Sequence, residues 1–223
     1  MPKPKVGVTL RIEVRDDKGR VVKVIETPSR SFTQSFAALL AASMWSRFSI
    51  SRWHIIYNVY DVMGNQVCVV GLTSPPSYCQ SSLEDVEFLF YSEPQYIAPP
   101  YQSYTIYMPG IWPGSSFCPD PKYAYGPCSP ISTSVLSPTL FSFPSSPVYT
   151  TSGWQMAYSQ TWTNVSGSPV VVSSVALVFG ASGQPFAPNV YFLYAAIVDN
   201  VTPAVVINPG YSVTFTYTLL YAV

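Results

Sequence analysis

The chain has 223 residues, of which only 10% are charged, with formal charges that cancel and with tyrosine and proline in excess, 17 and 22 residues. That length suits one large all-β core and excludes dependence on external staples. So low a charge density leaves large neutral surfaces, which are better explained as contacts with neighbouring subunits than as a solvated exterior.

The charge is unevenly placed. Ten of the eleven basic residues fall within positions 1–60, against four acids, and after Lys122 the only charged side chain is Asp199. An acidic partner could meet the amino-terminal part but not the carboxy-terminal part. The bases alternate with apolar residues, so the simpler reading is the solvated face of a hairpin, with no nucleic-acid partner. The start, MPKPKVGVTLRIEVRDD, has charges throughout and lacks the apolar core of a signal peptide. The longest apolar run near it, FAALLAASMW, is about half the roughly 20 residues that a membrane span needs, so no transmembrane segment is expected.

In chain order, Val6, Val8, Leu10, Ile12 and Val14 alternate strictly with Gly7, Thr9, Arg11, Glu13 and Arg15, the period of a half-buried strand. DDKG at 16–19 supplies a turn and RVVKVIE returns as a second strand, making a β-hairpin. The next stretch, SRSFTQSFAALLAASMW, has capping-box spacing at Ser31 and Gln34. It also sets Phe32, Phe36, Leu39, Leu40 and Met44 on one helical face, which predicts an amphipathic helix over about 31–46 packed on the core. RWHIIYNVYDV and QVCVVG read as strands joined by MGN, and VEFLFYS as a third. Positions 92–150 are crowded with Pro, Ser and Tyr and read as an irregular insertion with short strands such as SYTIYM, because proline cannot donate to a sheet ladder. Its aromatics call for something to pack against. The last part, 151–223, returns to strands: WQMAYSQTWTN, a tight hairpin turn at NVSGS, SPVVVSSVALVFG, NVYFLYAAIV, PAVVIN, an NPG turn and YSVTFTYTLLY. Nine or ten short strands with such turns predict a single all-β domain over 1–223, a jelly-roll-type antiparallel β-sandwich with one helix.

Four cysteines, Cys68, Cys79, Cys118 and Cys128, match no zinc spacing, and the single histidine, His54, is distant. Disulfides are expected, with three connectivities open. Asn164-Val165-Ser166 and Asn200-Val201-Thr202 are glycosylation sequons beside predicted turns.

Catalytic chemistry finds little footing. His54 is the only candidate base for a triad, and it sits inside a predicted strand as a packed or surface residue would. No nucleotide-binding loop or nucleophile elbow occurs. Glu84, Asp85, Glu87 and Glu93 are grouped, with Asp61, Asp120 and Asp199 apart. A glycosidase needs only two facing carboxylates, but a charged strand edge explains the group as well. No catalytic, cofactor-binding or metal-binding residue is assigned, no cofactor is expected, and the chain is read as no enzyme. The aromatic segment 91–125 could bind a glycan by stacking; with Lys122 its only base, it is ill suited to nucleic acid.

WTNVSGSPVVVSSVALVFG followed by VVINPGYSVTFTYTLLYAV resembles the closing strands of jelly-roll virion proteins. Together with the length and the opening hairpin before SRSFTQSF, the chain is similar to the vertex turret proteins, associated with the penton, of the Sulfolobus turreted icosahedral virus. The resemblance implies a structural capsid protein at the fivefold vertex of an archaeal virus. It would be made in the host cytoplasm and carried on the virion, as a homopentamer with other turret proteins and the major capsid protein as partners. The alternative is a receptor- or glycan-binding attachment module on the virion surface.

Overall fold

The computed structural model describes residues 5–29, 31–38, 56–62, 64, 66–70, 82–83, 87–89, 109–139, 147–151, 153–182 and 191–222. It is an all-β sandwich of two packed antiparallel sheets with a smaller sheet beside them.

The opening hairpin forms as expected. β1 (Lys5–Arg15) pairs antiparallel with β2 (Val21–Ser29). Asp16 shapes the turn: its carboxylate accepts hydrogen bonds from the backbone N–H of Lys18 and Arg20 and from the Arg20 guanidinium. Partial burial would raise its pKa, but the Arg20 and Lys18 hydrogen bonds outweigh it and hold the carboxyl below its ordinary value. Leu10, Ile12 and Val14 are buried. On the opposite face, Arg11 and Arg15 both reach Glu13, at 2.6 and 2.5 Å, so these bases do line a solvated hairpin face.

The first sheet has six strands. Its path runs β2, β1, β13 (Ser212–Ala222), β10 (Gly153–Asn164) and β8 (Leu136–Pro138), with β9 (Val148–Thr150) also on β10. The first strand of the chain therefore lies against the last, in register over their whole length from Lys5↔Ala222 to Arg15↔Ser212. The second sheet is centred on β11 (Val170–Ser182), flanked on one side by β12 (Tyr191–Ile207) and on the other by β6 (Glu87–Leu89) and β7 (Gly110–Gly114) end to end. A third sheet joins β3 (Ile56–Tyr60), β4 (Gln66–Val70) and the short β5 (Ser82–Leu83).

The core lies between the first two sheets. Phe215, Tyr217 and Trp162 face Val175, Leu177 and Ile111, all essentially inaccessible to solvent. The Trp112 and Trp162 rings meet edge to face at 5.0 Å, and Tyr158 meets Phe179 at 5.7 Å, the geometry aromatic quadrupoles favour. Polar groups in this layer are satisfied in pairs. The Trp162 indole N–H donates to the Ile111 carbonyl, and Gln160 accepts from the Ile111 N–H while donating to Thr139. Asp199 is buried against the Tyr217 hydroxyl; burial, then this carboxylate, raises the Tyr217 phenol well above its ordinary pKa.

Four expectations are corrected. NVSGS does not close a hairpin: β10 and β11 belong to different sheets, so the turn is a corner crossing the sandwich. Both strands have an apolar face, and stacking those faces buries more than pairing the edges would. The runs YFLYAAIV and PAVVI are one strand, β12, whose register on β11 shifts between Val172 and Ser174 and between Leu177 and Val178. GIWPG, inside the stretch read as irregular, is the fully buried β7; its Pro113 is tolerated because β7 lies on the outer side of β11. Finally, Ser31 is not the helix cap. Residues 31–33 run along β12, with Thr33 N–H donating to Ala196 and Val198 N–H to Ser31. Thr33 Oγ1 then accepts from the Phe36 N–H, so the helix begins after Thr33, at 34–38, and Phe32 precedes it in a β-bridge to Ile197. Leu39, Leu40, Met44 and SYTIYM lie outside the described residues. The sandwich is as expected; six and four strands in the two main sheets do not by themselves trace the Greek keys of a jelly roll.

Candidate functional site

Beyond β7 the chain enters a loop whose geometry is fixed at its base. A side chain at Gly114 would place its Cβ 2.3 Å from the Cys128 carbonyl and 2.5 Å from Ser174 Oγ, so only glycine lets the two arms of the loop close on β11. Cys118 and Cys128 form a disulfide ten positions apart, with Cα atoms 5.4 Å from one another. Ser115 and Ser116 N–H groups donate to the Ser129 and Cys128 carbonyls. The loop is then fastened to the sandwich from two strands. Asn200 on β12 brackets Cys118, accepting from its N–H at 2.7 Å and donating to its carbonyl at 2.8 Å, while Ser174 on β11 accepts from the Cys128 N–H.

This rigid base carries a one-turn 3-10 helix, Pro121–Tyr123, at its tip. Together with Gln34, Ser35 and Tyr60, the tip residues Lys122, Tyr123, Ala124 and Tyr125 line an open cleft of about 150 Å³. Two walls are aromatic: the Tyr60 and Tyr125 rings lie 5.0 Å apart, and Gly64 leaves room for the other side of the Tyr125 ring. Tyr123 is the most open ring, 56% exposed. The Lys122 ammonium sits 4.8 Å above the Tyr123 ring and 4.0 Å from the Asp120 carboxylate. On the far wall Ser35 Oγ accepts from the Tyr60 N–H, which ties the start of the helix to β3. The arrangement offers ring faces and hydroxyl, amide and ammonium groups; it can stack and hydrogen-bond a small polar ligand.

Of the carboxylates singled out from sequence, three can be placed. Asp61 and Asp199 are buried and Asp120 is exposed at the cleft rim. His54, Glu84, Asp85, Glu93 and Cys79 lie outside the described residues, as do the side chains of Glu87 and Cys68. Among the described residues no group of three His, Cys, Asp or Glu could hold a metal ion, and no helix is long and apolar enough to cross a membrane. Both sequon asparagines turn inward. Asn164 is buried, donating from Nδ2 to the Ser168 and Ile207 carbonyls and accepting at Oδ1 from Ser166. Asn200 is held by Cys118 as described. Neither amide is free to carry a glycan in the folded chain. Sequence reasoning marked Tyr123 and Tyr125 through the aromatic segment but missed Gln34, Ser35 and Tyr60, which reach the cleft only through the tertiary fold.

Comparison with family models, curated proteins and solved structures finds no match to this chain.

Proposed function

We propose that this chain is a structural subunit of an icosahedral capsid vertex, assembled as a ring of five copies with other vertex proteins and the major capsid protein. The observation that carries the reading is the outer face of the six-stranded sheet. Because Val213, Phe215 and Tyr217 point inward, their neighbours Thr214, Thr216 and Thr218 point outward. Thr161, Ser159 and Ala157 lie opposite them on β10, and the Thr161 and Thr214 hydroxyls meet at 2.7 Å. No charged residue occurs on either strand.

Across β1, β13 and β10 with β2 beside them, eleven paired residues make a surface about 35 Å long and about 20 Å wide. That is roughly 700 Å², close to the ~800 Å² that one partner contributes to a stable interface. The outward residues of β13 and β10, about half of that width, are uncharged, while Arg11, Glu13 and Arg15 lie on β1 between β13 and β2 and compensate one another there. A closed fivefold ring is joined by heterologous contacts, so this face would meet a different surface of the next copy. The likeness of the closing strands to turret proteins supports the vertex as the location.

Two glutamates introduced together, Thr161→Glu and Thr216→Glu, test the reading. They should convert the assembled ring to monomers in light scattering while leaving circular dichroism unchanged. A wild-type chain that stays monomeric at high concentration and is absent from purified particles would sink the proposal.

A further inference from the structure

We infer that the cleft between the disulfide loop and the start of the helix is a binding site for a single neutral hexopyranose, the terminal sugar of a glycan. The inference stands apart from the vertex reading, since the cleft and the neutral face of the six-stranded sheet are built from different residues.

Size comes first. A volume of about 150 Å³ suits a ligand of a single ring. It falls below the ~300 Å³ at which drug-sized and cofactor pockets begin. Chemistry comes next. One face of a hexopyranose presents C–H bonds of slight positive polarity, which seat on the negative face of an aromatic ring, and the exposed Tyr123 ring, on the face that Lys122 does not cover, is the platform for it. The sugar's rim of hydroxyls needs both donors and acceptors, and Gln34, the tyrosine hydroxyls and Lys122 supply both.

Charge then selects the class of sugar. Among the described residues Lys122 is the one charged side chain lining the cleft, and its ammonium faces both the Asp120 carboxylate and the Tyr123 ring. An acidic sugar would have to compete with Asp120 for that cation, whereas a neutral one needs only its hydrogen bonds. The site is also preorganised. The disulfide, the Asn200 bracket and the Ser174 bond hold the loop before any ligand arrives, which lowers the ordering cost of binding. A contact with one small sugar is weak, in the millimolar range, so useful attachment needs several copies acting together.

The test is a glycan array read with the full chain, biotinylated and clustered on streptavidin so that avidity does not depend on natural assembly. Binding to hexose-terminated neutral glycans is expected, competed by millimolar free hexose. Tyr123→Ala should weaken it at least tenfold, while Tyr123→Phe, which keeps the ring, should stay within about threefold of wild type. The exposure of Tyr123 makes both variants foldable, and an intact Cys118–Cys128 bond by mass verifies it. Three results overturn the inference: no binding to neutral glycans, binding that Tyr123→Ala leaves intact, or preference for sialylated or uronate-bearing glycans. Thr161→Glu with Thr216→Glu should leave array binding unchanged, so failure of the vertex reading and failure of the sugar site are told apart.

Discussion

Asn164 shows how one side chain can carry more structure than its local motif suggests. Its amide serves the corner between β10 and β11 through Ser166 and Ser168, and reaches Ile207 at the end of β12. Its backbone meanwhile exchanges hydrogen bonds with Gly210 and Tyr211 in the next corner. That second corner is a type II turn, with Pro209 preset and Gly210 at φ 78°. Two of the crossings between the main sheets, β10 to β11 and β12 to β13, are thus fastened at one residue. Asn164→Ala removes the buried bond to the Ile207 carbonyl, a loss of about 1–3 kcal/mol, together with part-buried bonds to the Ser168 carbonyl and from the Ser166 N–H. Some of these groups will recruit water, so a net loss of about 2–4 kcal/mol is expected. In a chain of this size that lowers the melting temperature by roughly 5–12 °C, read by scanning calorimetry. A shift under about 2 °C would show that the corners hold without it. From sequence the same residue reads as a sequon, because the motif specifies neighbours along the chain and not the carbonyl of Ile207, 43 positions away.

Among elements, β1 is legible in advance from its strict period-two alternation, and β10, β11 and β13 from their apolar runs between turn residues. What sequence could not supply is partnership. Nothing local in GIWPG announces a strand, because two glycines and a proline argue against one, and only the open side of β11 provides the ladder it joins. The helix start is similar: Ser31 has the right spacing for a cap, but β12 captures its carbonyl through Val198 N–H, leaving Thr33 to cap. The cysteines were legible as disulfides without their pairing, and Cys118–Cys128 settles one pair. Closing a loop of that length removes unfolded-state freedom equivalent to about 3 kcal/mol. Cys118→Ser with Cys128→Ser should therefore lower the urea midpoint by an equivalent of roughly 2–4 kcal/mol. Amide exchange at Tyr123 to Tyr125 should speed up by an order of magnitude or more, while the β1 and β13 amides keep their rank as the slowest. Equal acceleration everywhere would mean that the loop is not the separately held unit its hydrogen bonds describe.

At the scale of the whole molecule, the uneven charge of the chain becomes a division of surfaces. Arg11, Glu13 and Arg15 compensate one another along β1, between β2 and β13, and the neutral middle of the sheet is the pair β13 and β10, neither of which carries a charged residue. An assembly joined through that middle is held by burial and short hydrogen bonds, which salt screens little. One joined through β1 would depend on exposed ion pairs. The screening length falls from about 10 Å at 0.1 M salt to about 3 Å at 1 M, and exposed pairs contribute at most about 1 kcal/mol each even at low salt. The self-association constant should therefore stay within about threefold between 0.1 and 1 M sodium chloride, measured by sedimentation equilibrium, with any drift toward tighter association. Arg11→Gln with Arg15→Gln should leave it unchanged as well. A tenfold weakening at high salt, abolished by those two substitutions, would move the contact from the threonine face to the charged strand. The vertex ring would then have to be built around β2, whose exposed Val21, Val22 and Val24 adjoin that strand.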